Sequence, residues 1–242
     1  MKLYVYCLAT GIHALRHPVR GIAGGEVRLL NAGDFSVVVS DFAGEKAPVS
    51  RENVVAHAAV VQSALEHTTP LPFRFGVVVT QAQLESFLTA RHDALKARLD
   101  LVRGCVEMSV KVISNSNDGN GRRFEEESNT LEDKPGTVFL LEKRRELRGS
   151  EARAAEAQAL ASWLQTKLGE VVRDTRVETN LTDKLLLASA HLVERGVVEQ
   201  YRARLKSARL ERPELNFLVS GPWPPYSFSN INLEFATQFG VS

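Results

Sequence analysis

Gly104-Cys105-Val106-Glu107-Met108-Ser109-Val110-Lys111-Val112-Ile113 alternates apolar with polar side chains. The alternation puts Val106, Met108, Val110 and Val112 on one face of a half-buried strand and Glu107, Ser109 and Lys111 on the other. Downstream, Leu160, Trp163, Leu164, Leu168 and Val171 repeat at helical spacing over good helix formers, while Val138 to Leu141 fits either a strand or a helix start. Thr175 to Glu178 and Leu185 to Leu192 read as strands around Asn180-Leu181-Thr182-Asp183. Val198, Tyr201 and Leu205 then mark a second helix, and Leu215, Phe217 and Val219 alternate as a last strand. The order β, α, β, β, α, β is the ferredoxin-like signature, a four-stranded antiparallel sheet with two helices on one face.

Upstream of that strand the pattern changes. Leu3 to Ala9 is apolar on both faces, as a central covered strand is. Val27 to Leu30 and Phe35 to Val39 flank the turn-forming Asn31-Ala32-Gly33-Asp34 as a hairpin. Ser50 is an N-cap for a helix ending near Thr68 with Val54, Ala58, Val61 and Leu65 on one stripe. Pro70-Leu71-Pro72 forces an extended entry into a strand over Phe73 to Val79. Thr80 and Gln83 form a capping box opening a helix with Leu84, Phe87, Leu88, Leu95, Leu99 and Val102 on one stripe. The fold class is therefore α+β with two domains, residues 1–102 and 103–242, each an antiparallel sheet with helices packed on one face. The polar stretch 114–135 predicts a flexible loop. Residues 229–242 form a C-terminal tail whose Ile231, Leu233, Phe235 and Phe239 are more apolar than a free tail needs.

Composition excludes several function classes. The chain has 242 residues, 44% hydrophobic and 24% charged, the balance of a folded globular protein. Thirty basic against 29 acidic residues give a net charge of +1, too little to hold a polyanion by bulk charge. No stretch approaches the length of an apolar membrane span or the pattern of a secretory signal, so the expected location is cytoplasmic. Cys7 and Cys105 both lie in apolar strand-like runs and read as buried thiols.

Motifs for chemistry are absent. No phosphate-binding G-x-x-x-x-G-K-[ST] loop, H-E-x-x-H helix, G-x-S-x-G elbow or paired C-x-x-C occurs. Gly21-Ile22-Ala23-Gly24-Gly25 leads into a strand rather than a helix N-terminus, so a turn explains it better than a phosphate cradle. The histidines, among them the pair His13 and His17, form no convincing metal-ligand set. His57 reads as a hydrogen-bonded, partly buried structural histidine. Asn115 to Gly121 lacks the residues of a calcium loop. The basic runs Arg122-Arg123 and Lys143-Arg144-Arg145 are offset by acidic neighbours, and the strands lack the exposed aromatic pair of an RNA-recognition sheet. The expectation is a non-enzyme with no cofactor, no metal, no nucleic acid and no membrane.

Two segments stand apart. In Leu71-Pro72-Phe73-Arg74-Phe75-Gly76 an arginine lies between two phenylalanines, which in a strand puts Phe73 and Phe75 on one face and Arg74 on the other. In Gly221-Pro222-Trp223-Pro224-Pro225-Tyr226-Ser227-Phe228 three prolines hold the aromatics in a stiff display, suited either to an internal clamp or to a partner surface. Candidate partner-binding residues are Phe73, Arg74, Phe75, Trp223, Pro224, Pro225, Tyr226 and Phe228.

These two segments resemble the gas vesicle GvpL/GvpF family. So do Leu3-Tyr4-Val5-Tyr6, His57 in its helix, and Glu107 with Val110-Lys111-Val112, and the likeness extends over nearly the whole chain. The resemblance implies a non-catalytic accessory protein for building gas vesicles, the gas-filled shells that give cells buoyancy. It implies binding to the major shell protein GvpA and to other accessory gas vesicle proteins, in the cytoplasm and in association with the vesicle. A shell subunit whose apolar surface will face gas needs cover in water, which a groove between the two units or pairing at an open sheet edge would supply. The alternatives are a ferredoxin-like RNA-binding or ligand-binding regulatory module and an uncharacterised enzyme, which a pocket of convergent titratable groups would reveal.

Overall fold

A computed structural model describes residues 2–15, 19–114, 135–178 and 184–231, with backbone alone at 135–150 and 152. Most of the loop expected at 114–135, the turn at Asn180–Asp183, His17, the side chains of both basic runs and the tail beyond Ile231 lie outside the residues so described.

Packing divides the chain into two units that are not consecutive in sequence. One comprises Met1–Met108, His191–Val198 and the chain from Ser220 onward; the other comprises Ser109–Ala190 and Glu199–Val219.

The first unit is built on β1 (Lys2–Ala9), whose residues from Leu3 onward are all buried. It pairs antiparallel with β3 (Phe35–Phe42), which forms a hairpin with β2 (Val27–Ala32). The hairpin turns through Gly33, whose φ of +61° favours glycine. On its other side β1 pairs with β4 (Leu71–Pro72) and β5 (Val78–Thr80). Register slips by one residue between Val5 and Cys7. A bulge of this kind changes the parity of the strand, and so Tyr4, Tyr6, Cys7 and Ala9 all join one core cluster with Val60, Val61 and Ala64. Those last three come from α1 (Arg51–Leu65), capped by the Ser50 hydroxyl accepting from the Asn53 amide at 3.2 Å.

Three local expectations need correction. Of the strand foreseen over Phe73–Val79 only Val78 and Val79 are strand, in β5; β4 comes earlier, and residues 73–77 between them turn, with Gly76 at φ +99°. The bend still ties to β1, because the Phe73 amide donates to the Tyr6 carbonyl at 2.9 Å and the Val5 amide to the Val77 carbonyl at 3.0 Å. The single helix foreseen after Thr80 is two, α2 (Gln81–Ala90) and α3 (His92–Val102), broken at Arg91. No glycine or proline marks the break. Instead the Thr89 hydroxyl donates back to the Glu85 carbonyl at 2.9 Å, a bond that bends helices. The capping box at Thr80 and Gln83 is present, and all six residues of the foreseen stripe are buried. Finally, the α1 stripe is displaced: Val61 and Leu65 are buried, but Val54 is 44% exposed and Ala58 is exposed too, because the core face runs through His57, Val60, Val61 and Ala64.

The second sheet contains β6 (Cys105–Ser114), β7 (Val172–Val177), β8 (Leu185–Glu194) and β9 (Leu215–Trp223), in the spatial order β7-β8-β6-β9. β6 and β8 run antiparallel, since the Ser114 amide bonds the Lys184 carbonyl at 3.1 Å and the Arg195 amide bonds the Gly104 carbonyl at 2.9 Å. Between the strands run α4 (Pro135–Leu168) and α5 (Val198–Glu211), so the chain order is β6, α4, β7, β8, α5, β9 as the periodicities indicate. Val138 to Leu141 belongs to α4. In the second unit Leu160, Leu164 and Leu168 of α4 and Tyr201, Leu205 and Ala208 of α5 are buried, and the Trp163 ring lies 6.4 Å from that of Phe217. Arg204 donates to the Leu168 carbonyl at 2.5 Å, satisfying the C-terminal end of α4. The fold is thus α+β, with two antiparallel sheets and attendant helices.

Candidate partner-binding groove

Within the first unit, burial of β1 places two tyrosine hydroxyls in the core, and each must find partners. The Tyr4 hydroxyl accepts from the Gly76 amide at 3.0 Å and lies 2.9 Å from His57 Nδ1. Since the amide can only donate, the Tyr4 proton goes to Nδ1, which leaves the neutral ring's own proton on Nε2. Nε2 makes no hydrogen bond of ordinary geometry, although the Phe73 backbone lies close enough to favour the charged ring. Burial outweighs that influence and pushes the His57 pKa down to about 4. Tyr6 is held in parallel: its hydroxyl accepts from the Ile22 amide at 2.9 Å and meets Ser40 Oγ at 2.9 Å. A Cβ at Gly21 would fall 2.0 Å from that hydroxyl, which explains a glycine there. The Phe75 ring closes the cluster, 6.1 Å from Tyr4 and 5.9 Å from His57.

This hub fixes α1 against β1, and one substitution measures it. Tyr4→Phe removes the partner of a part-buried amide and of a buried imidazole nitrogen at once, so a loss of about 2 kcal/mol is expected in urea unfolding. A change below about 0.5 kcal/mol would show that other groups satisfy both.

The segment after β9 packs on the same unit. Gly221 has φ +121°, and a Cβ there would meet the Glu107 carbonyl at 2.7 Å and Met108 Sδ at 2.9 Å. The Gly221–Pro222 bond is cis. Beyond it, the Ser227 amide and hydroxyl both donate to the Glu107 carboxylate, at 2.8 and 2.9 Å. Glu107 thereby anchors the short helix α6 (Tyr226–Ser229). Burial raises the Glu107 pKa, and the two Ser227 bonds partly offset it. The Tyr226 hydroxyl is likewise held neutral, chiefly by burial.

Between the outer face of α1 and this segment lies an apolar groove of about 440 Å³, lined by Val55, Ala58, Ala59 and Gln62 on one side and Trp223, Pro224 and Tyr226 on the other, with Glu107 among them. The Trp223 side is open: the residue is 47% exposed, and its Nε1 donates to Ser220 Oγ at 3.2 Å. Glu107 and Tyr226 are the titratable residues of this lining, and both are held toward their neutral forms. Most of the groove's lining is apolar, so it offers chiefly apolar area and shape. A larger cleft of about 580 Å³ in the second unit is lined by Trp163, Glu156, Arg212 and Glu214 among others. There Arg212 lies 5.4 Å over the Trp163 ring and pairs with Glu214, so its charge is already matched.

Of the candidates from sequence, Trp223, Pro224 and Tyr226 come together in the groove. Pro225 and Phe228 are buried behind it, and Ile231 is buried just beyond. Phe73 is core, with its ring 6.4 Å from Phe87; Phe75 belongs to the tyrosine–histidine cluster, and Arg74 is exposed on the intervening bend. Sequence reading missed the α1 side. The available signal was an excess of apolar residues on that helix, more than one core-facing stripe uses. Both cysteines are fully buried and in no disulfide. Among the described residues no cluster of His, Cys, Asp and Glu is arranged to hold a metal ion, and no helix is long and apolar enough to cross a membrane.

This fold is shared with solved gas vesicle proteins. It superposes on the crystal structure of GvpF from Microcystis aeruginosa with a TM-score of 0.72 at 19% identity, covering 94% of this chain and 98% of that one. On GvpF from Anabaena sp. the TM-score is 0.71 at 18% identity, covering 94% and 95%. Sequence makes the assignment specific. The family described as gas vesicle synthesis protein GvpL/GvpF matches residues 2–230, and the chain belongs to it. Among relatives, gas vesicle protein F2 of Halobacterium salinarum is 26% identical over 98% of this chain and 97% of its own length. Gas vesicle protein L of a Streptomyces species is 27% identical over 94% and 92%.

Proposed function

We propose that this chain is a non-catalytic accessory protein of gas vesicle assembly, acting in the cytoplasm and at the growing vesicle. It binds the major shell protein GvpA, and with it other accessory gas vesicle proteins, through the groove between α1 and Trp223–Tyr226. The observation that carries this reading is the open apolar groove with its half-exposed tryptophan. Aromatic anchors in apolar pockets dominate binding energy at protein interfaces, and an exposed apolar patch on a folded chain marks such a surface. Family membership supplies the setting, and the physical need is plain: a shell subunit destined to face gas exposes apolar surface that water would drive to aggregate. A preformed groove covers part of that surface until insertion.

Co-expression of a tagged copy with GvpA and with each accessory protein in turn, followed by purification in moderately high salt, tests it. Retention of GvpA is the expected result, because apolar contacts survive salt that screens charge pairs. Recovery of the tagged chain alone would overturn the proposal and favour a regulatory module.

A further inference from the structure

The groove beside α1 leaves apolar surface open on a folded chain, with Val55 58% exposed on one side and Trp223 47% exposed on the other. Surface of this kind drives association unless something covers it. Any apolar segment of suitable size fits such a groove, so the occupant is selected by what the chain holds beside it. Residues 232–242 meet that condition. Leu233, Phe235, Phe239 and Val241 recur through them, and Glu234 is their one charged side chain. They continue from Ile231, which is 0% exposed and therefore fixed in the core. Ile231 follows closely on α6, whose first residue, Tyr226, lines the groove. The path from Tyr226 to Ile231 spans at most about 19 Å, and residues 232–242 can extend roughly 36 Å, enough to bring their apolar side chains back over α1. The groove and this stretch belong to the same unit.

We infer that residues 232–242 fold back over the groove and cover it with their apolar side chains until a partner displaces them. Tethering makes this segment the occupant. Attached so close, it meets the groove at an effective concentration of the order of millimolar, whereas every other apolar segment must arrive from solution. Weak apolar contacts therefore suffice to hold it, and remain weak enough for a partner to replace. The family match closes at residue 230, so the cover is built from residues beyond the shared part. Its consequence for binding rests on the reading of the groove as the GvpA site: a partner binds only the uncovered fraction of molecules, and its apparent Kd rises by the inverse of that fraction.

Cysteine pairing in the full chain tests the cover with no partner present. Ala58→Cys, on the exposed side of α1, is combined in turn with Leu233→Cys, Phe235→Cys and Phe239→Cys. Leu101→Cys, 40% exposed on α3 of the same unit, replaces Ala58→Cys in the control series. Under mild oxidation at least one Ala58→Cys pair is expected to close an intramolecular disulfide about tenfold or more faster than its control; Cys7 and Cys105, at 0% exposure, do not compete. In the full chain carrying Leu233→Ser, Phe235→Ser and Phe239→Ser together, GvpA is expected to bind about tenfold more tightly, as for a groove open roughly one-tenth of the time. Equal cross-linking rates in the two series, or no disulfide in any Ala58→Cys pair, would overturn the cover. Fast cross-linking with GvpA affinity unchanged in the serine variant would uphold the cover and overturn the groove as the GvpA site. Equal rates together with loss of GvpA binding in Trp223→Ala would uphold the groove and overturn the cover.

Discussion

Substituting alanine for Gly221 is expected to lower the unfolding free energy by about 3 kcal/mol, the combined result of an unfavourable φ and a backbone collision. The φ of +121° lies where L side chains rarely sit, and the new Cβ would be 2.7 Å from the Glu107 carbonyl, an atom that belongs to a central strand and does not move cheaply. Gly33→Ala is the control: φ is +61° and nothing lies within 4 Å of its Cβ, so about 1 kcal/mol is expected from conformation alone. Chemical denaturation of both variants separates the terms. Equal losses would show that the contact with Glu107 relaxes freely. Because Gly221 sets the path of the chain into Trp223–Tyr226, the alanine variant is also expected to lose partner binding, whereas Gly33→Ala retains it.

The second large effect is acid sensitivity. His57 and His191 are buried, and burial lowers the pKa of each from 6.5 to about 4. In the unfolded chain both take up protons near 6.5. Between about 6.5 and 4 the unfolded state therefore binds more protons than the folded one, and stability present above pH 6.5 is lost as pH falls through that window. A shift of this size corresponds to about 3 kcal/mol for each histidine at most. Glu107 acts in the opposite sense, since its raised pKa favours the folded state as its carboxyl protonates, and it offsets part of the loss. Urea midpoints are expected to drop steeply from pH 7 to pH 4, and His57→Gln, neutral throughout, is expected to flatten the slope by about half. An unchanged slope in that variant would place the acid sensitivity elsewhere.

Most of the fold was legible because it rests on strong periodicities. β1 is apolar on both faces, β6 alternates cleanly, and Ser50 and the Thr80–Gln83 box mark helix starts by their hydrogen-bonding chemistry. The failures have physical causes of another kind. The break at Arg91 follows a Thr89 back-bond that a threonine inside a helical run does not announce, and the bend at Phe73–Val77 is marked by a single glycine. On α1 the pattern was ambiguous in principle. Valines and alanines occur on both sides of that helix, and periodicity cannot say which side meets β1 and which is left open. The same ambiguity hid half of the groove. Its other half was visible, because proline-stiffened aromatics are rare enough to notice, yet only the structure separates Trp223, at the surface, from Phe228, in the core. The Glu107 anchor and the Tyr4–His57 bond join residues 120 and 53 positions apart, and a single sequence contains no signal for such pairs.

The central claim is that the groove beside Trp223 binds another gas vesicle protein. Its most direct test is Trp223→Ala, with affinity for co-purified GvpA and thermal stability measured on the same sample. Loss of an aromatic anchor is expected to weaken binding by about 2 kcal/mol, roughly 30-fold in Kd, with the melting temperature nearly unchanged because the side chain is half exposed. Full affinity in the variant, or a fall in binding matched by an equal fall in stability, would contradict the account and return Trp223 to a purely internal role.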